Sequence, residues 1–164
     1  MRRDGIDGID IVEIGARLPE SFDLLRAEAR REGYEFLDRM QAGFGAGSEA
    51  YEGVGEGAFV ASCEGRLVGT ASIAIDPYLH DERIGRVRDV FVSEAARRRG
   101  VAAAPVTLCL ERGQGFALIR LRTGNPDAAR LYERLGFVPA ELEDATHVYR
   151  PAASSVVSDS PAAG

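Results

Sequence analysis

Lysine is missing from this 164-residue chain: all 20 basic residues are arginine. That absence excludes a Schiff-base lysine for pyridoxal phosphate chemistry and the lysine of a P-loop. It also fits GC-rich coding, which carries no mechanism. Cysteine and histidine are scarce, at two each. Cys63 and Cys109 make no disulfide framework, and neither has a Cys or His at metal-ligand spacing. Both read as small core residues, and no metal is expected. His80 and His147 are equally isolated and read as surface or strand positions. Long apolar runs are lacking too. The longest, residues 101–110, reaches about half of a membrane span and is broken by Pro105 and Thr107. The opening MRRDGIDGID has two arginines but no apolar segment behind them, so it does not read as a signal peptide. No membrane partner is expected, and a cytoplasmic protein is the default. A positive excess is also absent. The net charge is −6, which gives no bulk attraction to nucleic acid.

What is present suits a compact α/β domain. A hydrophobic content of 45% supports a core over residues 1–150, and the small, polar tail 151–164 reads as disordered. Residues 8–14 read as a first strand. Pro19 opens a helical pattern carried by Phe22, Leu25, Ala29, Phe36 and Met40. Gly33 interrupts it, leaving one kinked helix or two short ones. Residues 41–57 are glycine-rich and read as a loop. Strands at 58–63 and 67–75 form a hairpin, an acidic loop (Asp76, Asp81, Glu82) follows, and 86–92 is the next strand. A helix over 100–112, a strand at 116–121, a helix after Asn125-Pro126 and strands at 137–140 and 146–150 complete the chain. The order implies a mixed sheet with helices on its faces, an α+β arrangement.

The densest chemical signal is AARRRGVA, residues 95–102. Three arginines stand before a helix start whose exposed N–H groups already carry partial positive charge. An anion removes that conflict, and Gly100 permits close backbone approach, so the segment reads as a phosphate site. A solvated basic cluster balanced by Glu94 or Glu111 is the alternative. The buried strand Val90, Phe91, Val92 leads straight into it, the organisation expected for a phosphate-bearing cofactor along a strand edge. The glycine pairs at 113/115 and 43/45/47 lack a Rossmann context and read as loop.

Residues 86–102, RVRDVFVSEAARRRGVA, resemble the acetyl-CoA motif of the GNAT superfamily of N-acetyltransferases. The family pattern Arg/Gln-x-x-Gly-x-Gly/Ala falls on Arg97, Gly100 and Ala102. Residues 125–137, NPDAARLYERLGF, are similar to the family's later motif. With the element order, the resemblance covers roughly residues 58–150. It implies a mostly antiparallel sheet splayed between two parallel strands, with acetyl-CoA as cosubstrate. It implies backbone contacts from Val90, Phe91 and Val92 to the pantetheine and thioester, and a pyrophosphate held by Arg97, Arg98, Arg99, Gly100, Val101 and Ala102. Asn125 would touch the cofactor near the splay, and Tyr132 would meet the leaving sulfur. Read without the resemblance, Tyr132 is a core aromatic on an apolar helix face. A homodimer is a further expectation of the resemblance.

The implied activity is acetyl transfer to a primary amine of a small molecule or peptide, by direct attack in a ternary complex. A non-catalytic CoA-binding sensor or interaction module is the alternative. The pattern departs from the family at Arg86, where many relatives carry an acid. Asp89, on the same strand, is the substitute base, directly or through water; pairing with Arg86, Arg88 or the arginines at 97–99 is its other reading. Asp76, Asp81 and Glu82 either attract a cationic amine or are simply solvated. The glycine-rich loop 41–57 is placed beside the acceptor.

Overall fold

The computed structural model describes residues 2–6, 8–15, 17–45 and 51–152. Their strands form one eight-stranded sheet in the order β1-β2-β3-β4-β5-β6-β8-β7. The strands are β1 (Arg2–Ile6), β2 (Ile9–Glu13), β3 (Gly57–Cys63), β4 (Arg66–Ile75), β5 (Ile84–Val92), β6 (Leu118–Leu121), β7 (Val138–Pro139) and β8 (His147–Tyr149). The helices are α1 (Phe22–Arg31), α2 (Phe36–Gly45), α3 (Ala103–Arg112) and α4 (Pro126–Arg134). Every neighbouring pair is antiparallel except β5 and β6.

Alternation along the strands divides the core between two faces. Phe59 and Ala61 of β3, with Ala71 and Ile73 of β4, pack against Val106, Cys109 and Leu110 of α3 and Tyr132 of α4. Ala58 and Val60 face the other way, against Phe22, Leu25 and Ala29 of α1 and Leu37 and Met40 of α2. Gly69 lets α3 approach: a Cβ there would meet Cγ1 of Val101 at 3.3 Å.

The structure resolves or corrects several expectations. Gly33, at φ +91°, separates α1 from α2, so there are two helices. Helix α2 runs to Gly45, so the loop expected from residue 41 begins later; residues 46–50 of it lie outside the described residues. Strand β1 went unread because RRDGI carries no apolar alternation. The tail expected to be disordered lies outside the described residues beyond Ala152. Cys109 is fully buried and Cys63 half-buried, both as free thiols. No helix among the described residues is long and apolar enough to cross a membrane.

The parting of β5 from β6 positions the site. They pair only at Ile84–Leu118, Gly85–Ile119 and Arg86–Arg120. Strand β5 then continues to Val92 while β6 ends at Leu121, so the sheet opens beyond Arg86. Asn125 starts α4 by accepting from the N–H groups of Asp127 (2.9 Å) and Ala128 (3.4 Å), with Pro126 at the first helical position.

Candidate active site

Strand β5 carries a bulge at the opening. Thr70 of β4 faces Phe91 and Ser72 faces Arg88, so Asp89 and Val90 together oppose Ala71. An extra residue leaves ladder hydrogen bonds unmade and re-aims side chains. Here Asp89 takes φ +55°, a left-handed conformation that aspartate tolerates better than most residues. Its carboxylate is 8% exposed. Oδ2 accepts from the hydroxyls of Tyr51 and Ser72, both at 2.6 Å. No ion pair to Arg86, Arg88 or the arginines at 97–99 forms among the described residues. Oδ1 makes no hydrogen bond among them either. Burial, then the adjoining Asp89 charge, pushes the Tyr51 phenol upward, so it stays a donor.

Beyond β5 the chain enters a phosphate-sized turn. A short 3-10 segment, Glu94–Ala96, leads through Arg98 (φ +66°) and Gly100 (φ +70°) into α3. Ala102, at the N-cap position, has no side chain to close the helix start, and the first turn holds no acid. Pro105 sits at the third helical position, where it removes no intrahelical bond. Arg98 and Arg99 are exposed and form no ion pair among the described residues. Uncapped N–H groups, left-handed backbone and two uncommitted cations fit an anionic pyrophosphate. Val101 is buried, so it can serve this site only through its backbone.

Arg97 behaves differently from its neighbours. Its Nη2 donates to both carboxylate oxygens of Glu32 at 2.6 Å, its Nε donates to the Val92 carbonyl at 3.0 Å, and the guanidinium lies over the Phe91 ring. One turn earlier on α1, Glu28 accepts from Ser93 Oγ and from the N–H of Glu94, both at 2.8 Å. Helix α1 therefore clips the turn in two places. Neither Glu94 nor Glu111, the partners weighed from sequence, supplies this clip.

Tyr132 is 5% exposed and edge-on to Phe137 at 5.8 Å. Its hydroxyl makes no hydrogen bond among the described residues. Burial raises its pKa well above the ordinary phenol value. Asn125 commits its side-chain oxygen to the α4 cap, which fixes the helix that carries Tyr132.

Of the acidic loop, Asp76 departs from both readings considered from sequence, since it is buried and held by arginines. Asp76 is 1% exposed and lies 3.4 Å from both Arg86 and Arg120. Asp81 is tied to Arg83 within the loop, which holds its carboxyl down at about 2. Glu82 is exposed. His147 is buried in β8 rather than on the surface, 3.1 Å from Glu133. No group of three metal-ligating side chains occurs among the described residues.

Sequence reading missed Tyr51, Ser72, Glu28 and Glu32. The one available signal was a polar pair, Thr70 and Ser72, inside an otherwise apolar strand. Both are fully buried, and Thr70 Oγ1 has no partner among the described residues.

Residues 21–137 match the model of the Acetyltransferase (GNAT) family. Among curated proteins, no sequence matches this chain. Solved structures do match. A protein assigned as an acetyltransferase from Exiguobacterium sp. 255-15 superposes with a TM-score of 0.78 at 22% identity, covering 91% of this chain and 97% of its own. The ribosomal-protein-S5-alanine acetyltransferase of Vibrio fischeri gives 0.68 at 13% identity, covering 93% and 97%. An acetyltransferase of the GNAT family from Streptococcus pneumoniae gives 0.60 at 18% identity, covering 86% and 95%. At these identities the structural likeness establishes the fold.

Proposed function

Because the chain belongs to the GNAT family of acetyltransferases, whose acetyl donor is acetyl-CoA, we propose that it acetylates a primary amine of a small molecule or peptide by direct attack in a ternary complex. The observation that carries this reading is the parting of β5 from β6 beyond Arg86, with the uncapped start of α3 following β5 and the Asn125-capped α4, which carries Tyr132, following β6.

Acetyl-CoA supplies an activated thioester. Backbone groups of Val90, Phe91 and Val92, on the edge of β5 that β6 no longer pairs beyond Arg86, hold the pantetheine and polarise the carbonyl, where fixed donors act most strongly. The N–H groups of Gly100, Val101 and Ala102 take the pyrophosphate, with Arg98 and Arg99 adding charge. Arg97, committed to Glu32, holds the turn in shape. Tyr132 keeps its proton because burial disfavours the phenolate. A phenol pushed upward is a weaker acid still than a thiol near 8.5, so it stabilises the departing thiolate by donating a hydrogen bond rather than by surrendering the proton. Asp89 takes the amine's proton through water at Oδ1, while Tyr51 and Ser72 hold Oδ2.

The test is thiol release from acetyl-CoA against a panel of amines, with thermal shift reporting cofactor binding. Stabilisation with amine-dependent release supports the proposal. Asp89→Asn should then lower kcat by roughly 10- to 100-fold, within the range of general-base contributions, without changing the shift. Stabilisation without release from any amine would replace the proposal with a CoA-binding module.

A further inference from the structure

The opening of the sheet is guarded by an unbalanced set of charges. Arg86 and Arg120 face each other in register at the last paired position of β5 and β6. Ile119 and Leu121, flanking Arg120, point into the α3/α4 core, so Arg120 lies on the opposite face. Cross-strand pairing of Ser72 with Arg88 and Ala74 with Arg86 places those two arginines on that face as well. This is also the side on which Ser72 meets Asp89.

Asp76 is the one acid within ion-pair distance of Arg86 or Arg120 among the described residues, and it serves both poorly. Its Oδ2 stands 3.4 Å from each, about half an ångström beyond a strong charge-assisted contact. Arg86 has two other partners: it donates to the Asp144 carbonyl at 2.7 Å and lies under the Tyr78 ring. Arg120 has none. It is 6% exposed, makes no hydrogen bond among the described residues, and its fully buried Nε is the atom that faces Asp76 at 3.4 Å. Buried guanidinium groups with five donors are ordinarily satisfied. Arg88 is half-buried and also forms no ion pair among the described residues. Three arginines against Asp76 and Asp89 leave one positive charge unmatched on this face.

We propose that the acceptor is an amine that also carries a carboxylate, and that Arg120, with Arg86 and Arg88 alongside, binds that carboxylate. The inference rests on the acyltransferase reading and names its substrate class. A carboxylate matches both the single unmatched charge and the planar fork of a guanidinium; a phosphate at neutral pH would bring nearly two charges.

Thiol release from acetyl-CoA is measured with free amino acids paired with their primary amides, and with ethanolamine paired with phosphoethanolamine. Binding of N-acetylated amino acids and their amides to the CoA complex is measured by calorimetry. The acids should exceed the amides in kcat/KM by at least about tenfold, the scale of one charge-assisted hydrogen bond, and the N-acetyl acids should bind more tightly in the same ratio. Arg120→Met should bring the ratio close to one while the acetyl-CoA thermal shift is retained, and Arg120→Lys should restore part of it. Equal use of acids and amides, or an unchanged ratio in Arg120→Met, would overturn the inference, and so would preference for phosphoethanolamine. If Arg120→Met does not fold, the wild-type calorimetry decides by itself. An intact acetyl-CoA shift with no acid bound or used sinks this inference alone; no acetyl-CoA shift at all sinks the acyltransferase reading beneath it.

Discussion

The two sides of the opened sheet are built in opposite ways. The proposed donor side is one short stretch of chain, from the bulge at Asp89 to the start of α3, and what it offers is chiefly backbone. The proposed acceptor side collects side chains from β4, β5, β6 and the loop residue Tyr51, which lies 38 residues from its partner Asp89. Backbone recognition of a constant group needs only a local conformation, so one contiguous motif can encode it. Side-chain recognition of a particular amine needs charges brought together by the fold. The donor half can therefore be shared across a family while the acceptor half diverges.

Four experiments probe that contrast, beginning with the largest effect. Gly100→Asp places a side chain and a negative charge at the proposed pyrophosphate contact. Losing two charge-assisted hydrogen bonds at about 1.5–3 kcal/mol each should weaken acetyl-CoA by at least about 100-fold in calorimetry. Retained affinity would show that the backbone turn is not the donor site. Tyr132→Phe should lower kcat by roughly 10- to 1000-fold with the cofactor shift intact. Unchanged kcat, with chemistry shown to limit the rate, would return Tyr132 to a purely packing role.

Glu28→Ala removes the bonds to Ser93 and Glu94. It should cost about 1–2 kcal/mol in urea unfolding and raise KM for acetyl-CoA several-fold, because the turn loses its anchor on α1. A stability loss with no change in KM would separate the clip from cofactor binding. The smallest effect concerns pH. Burial raises both Tyr51 and Tyr132, so the folded state keeps protons that the unfolded chain releases near pH 10. Their contribution is fully present below pH 10 and is lost as pH rises above it. Urea midpoints should fall on that alkaline side, and Tyr132→Phe should flatten part of the fall. A midpoint independent of pH above 10 would contradict the burial of both phenols.

Legibility followed the same division. Asn125-Pro126 announced α4 because capping is local chemistry, and Arg97 to Ala102 stood out as a candidate anion site because the charge conflict lies in consecutive residues. The hairpin around Glu64-Gly65 was readable for the same reason, with both residues at positive φ. Asp89 stood out as the acid on the strand that carries Arg86, but its partners did not. Tyr51 lies 38 residues away and Ser72 lies 17 away, and no spacing rule links them. Asp76 read, with Asp81 and Glu82, as part of an acidic loop either solvated or attractive to an amine. Only β4, β5 and β6 side by side reveal that two arginines enclose it.

By itself the sequence determined the order of elements after β1, the backbone turn before α3, the cap of α4 and the family to which those motifs point. Each depends on interactions within a few residues. Tertiary structure decided which arginine was committed and which were left available, that Asp89 is held by hydroxyls rather than by an ion pair, and that Arg120 is buried without a hydrogen bond. Those outcomes depend on which strands lie side by side and where β5 leaves β6, and such long-range registers are set by packing of the whole sheet.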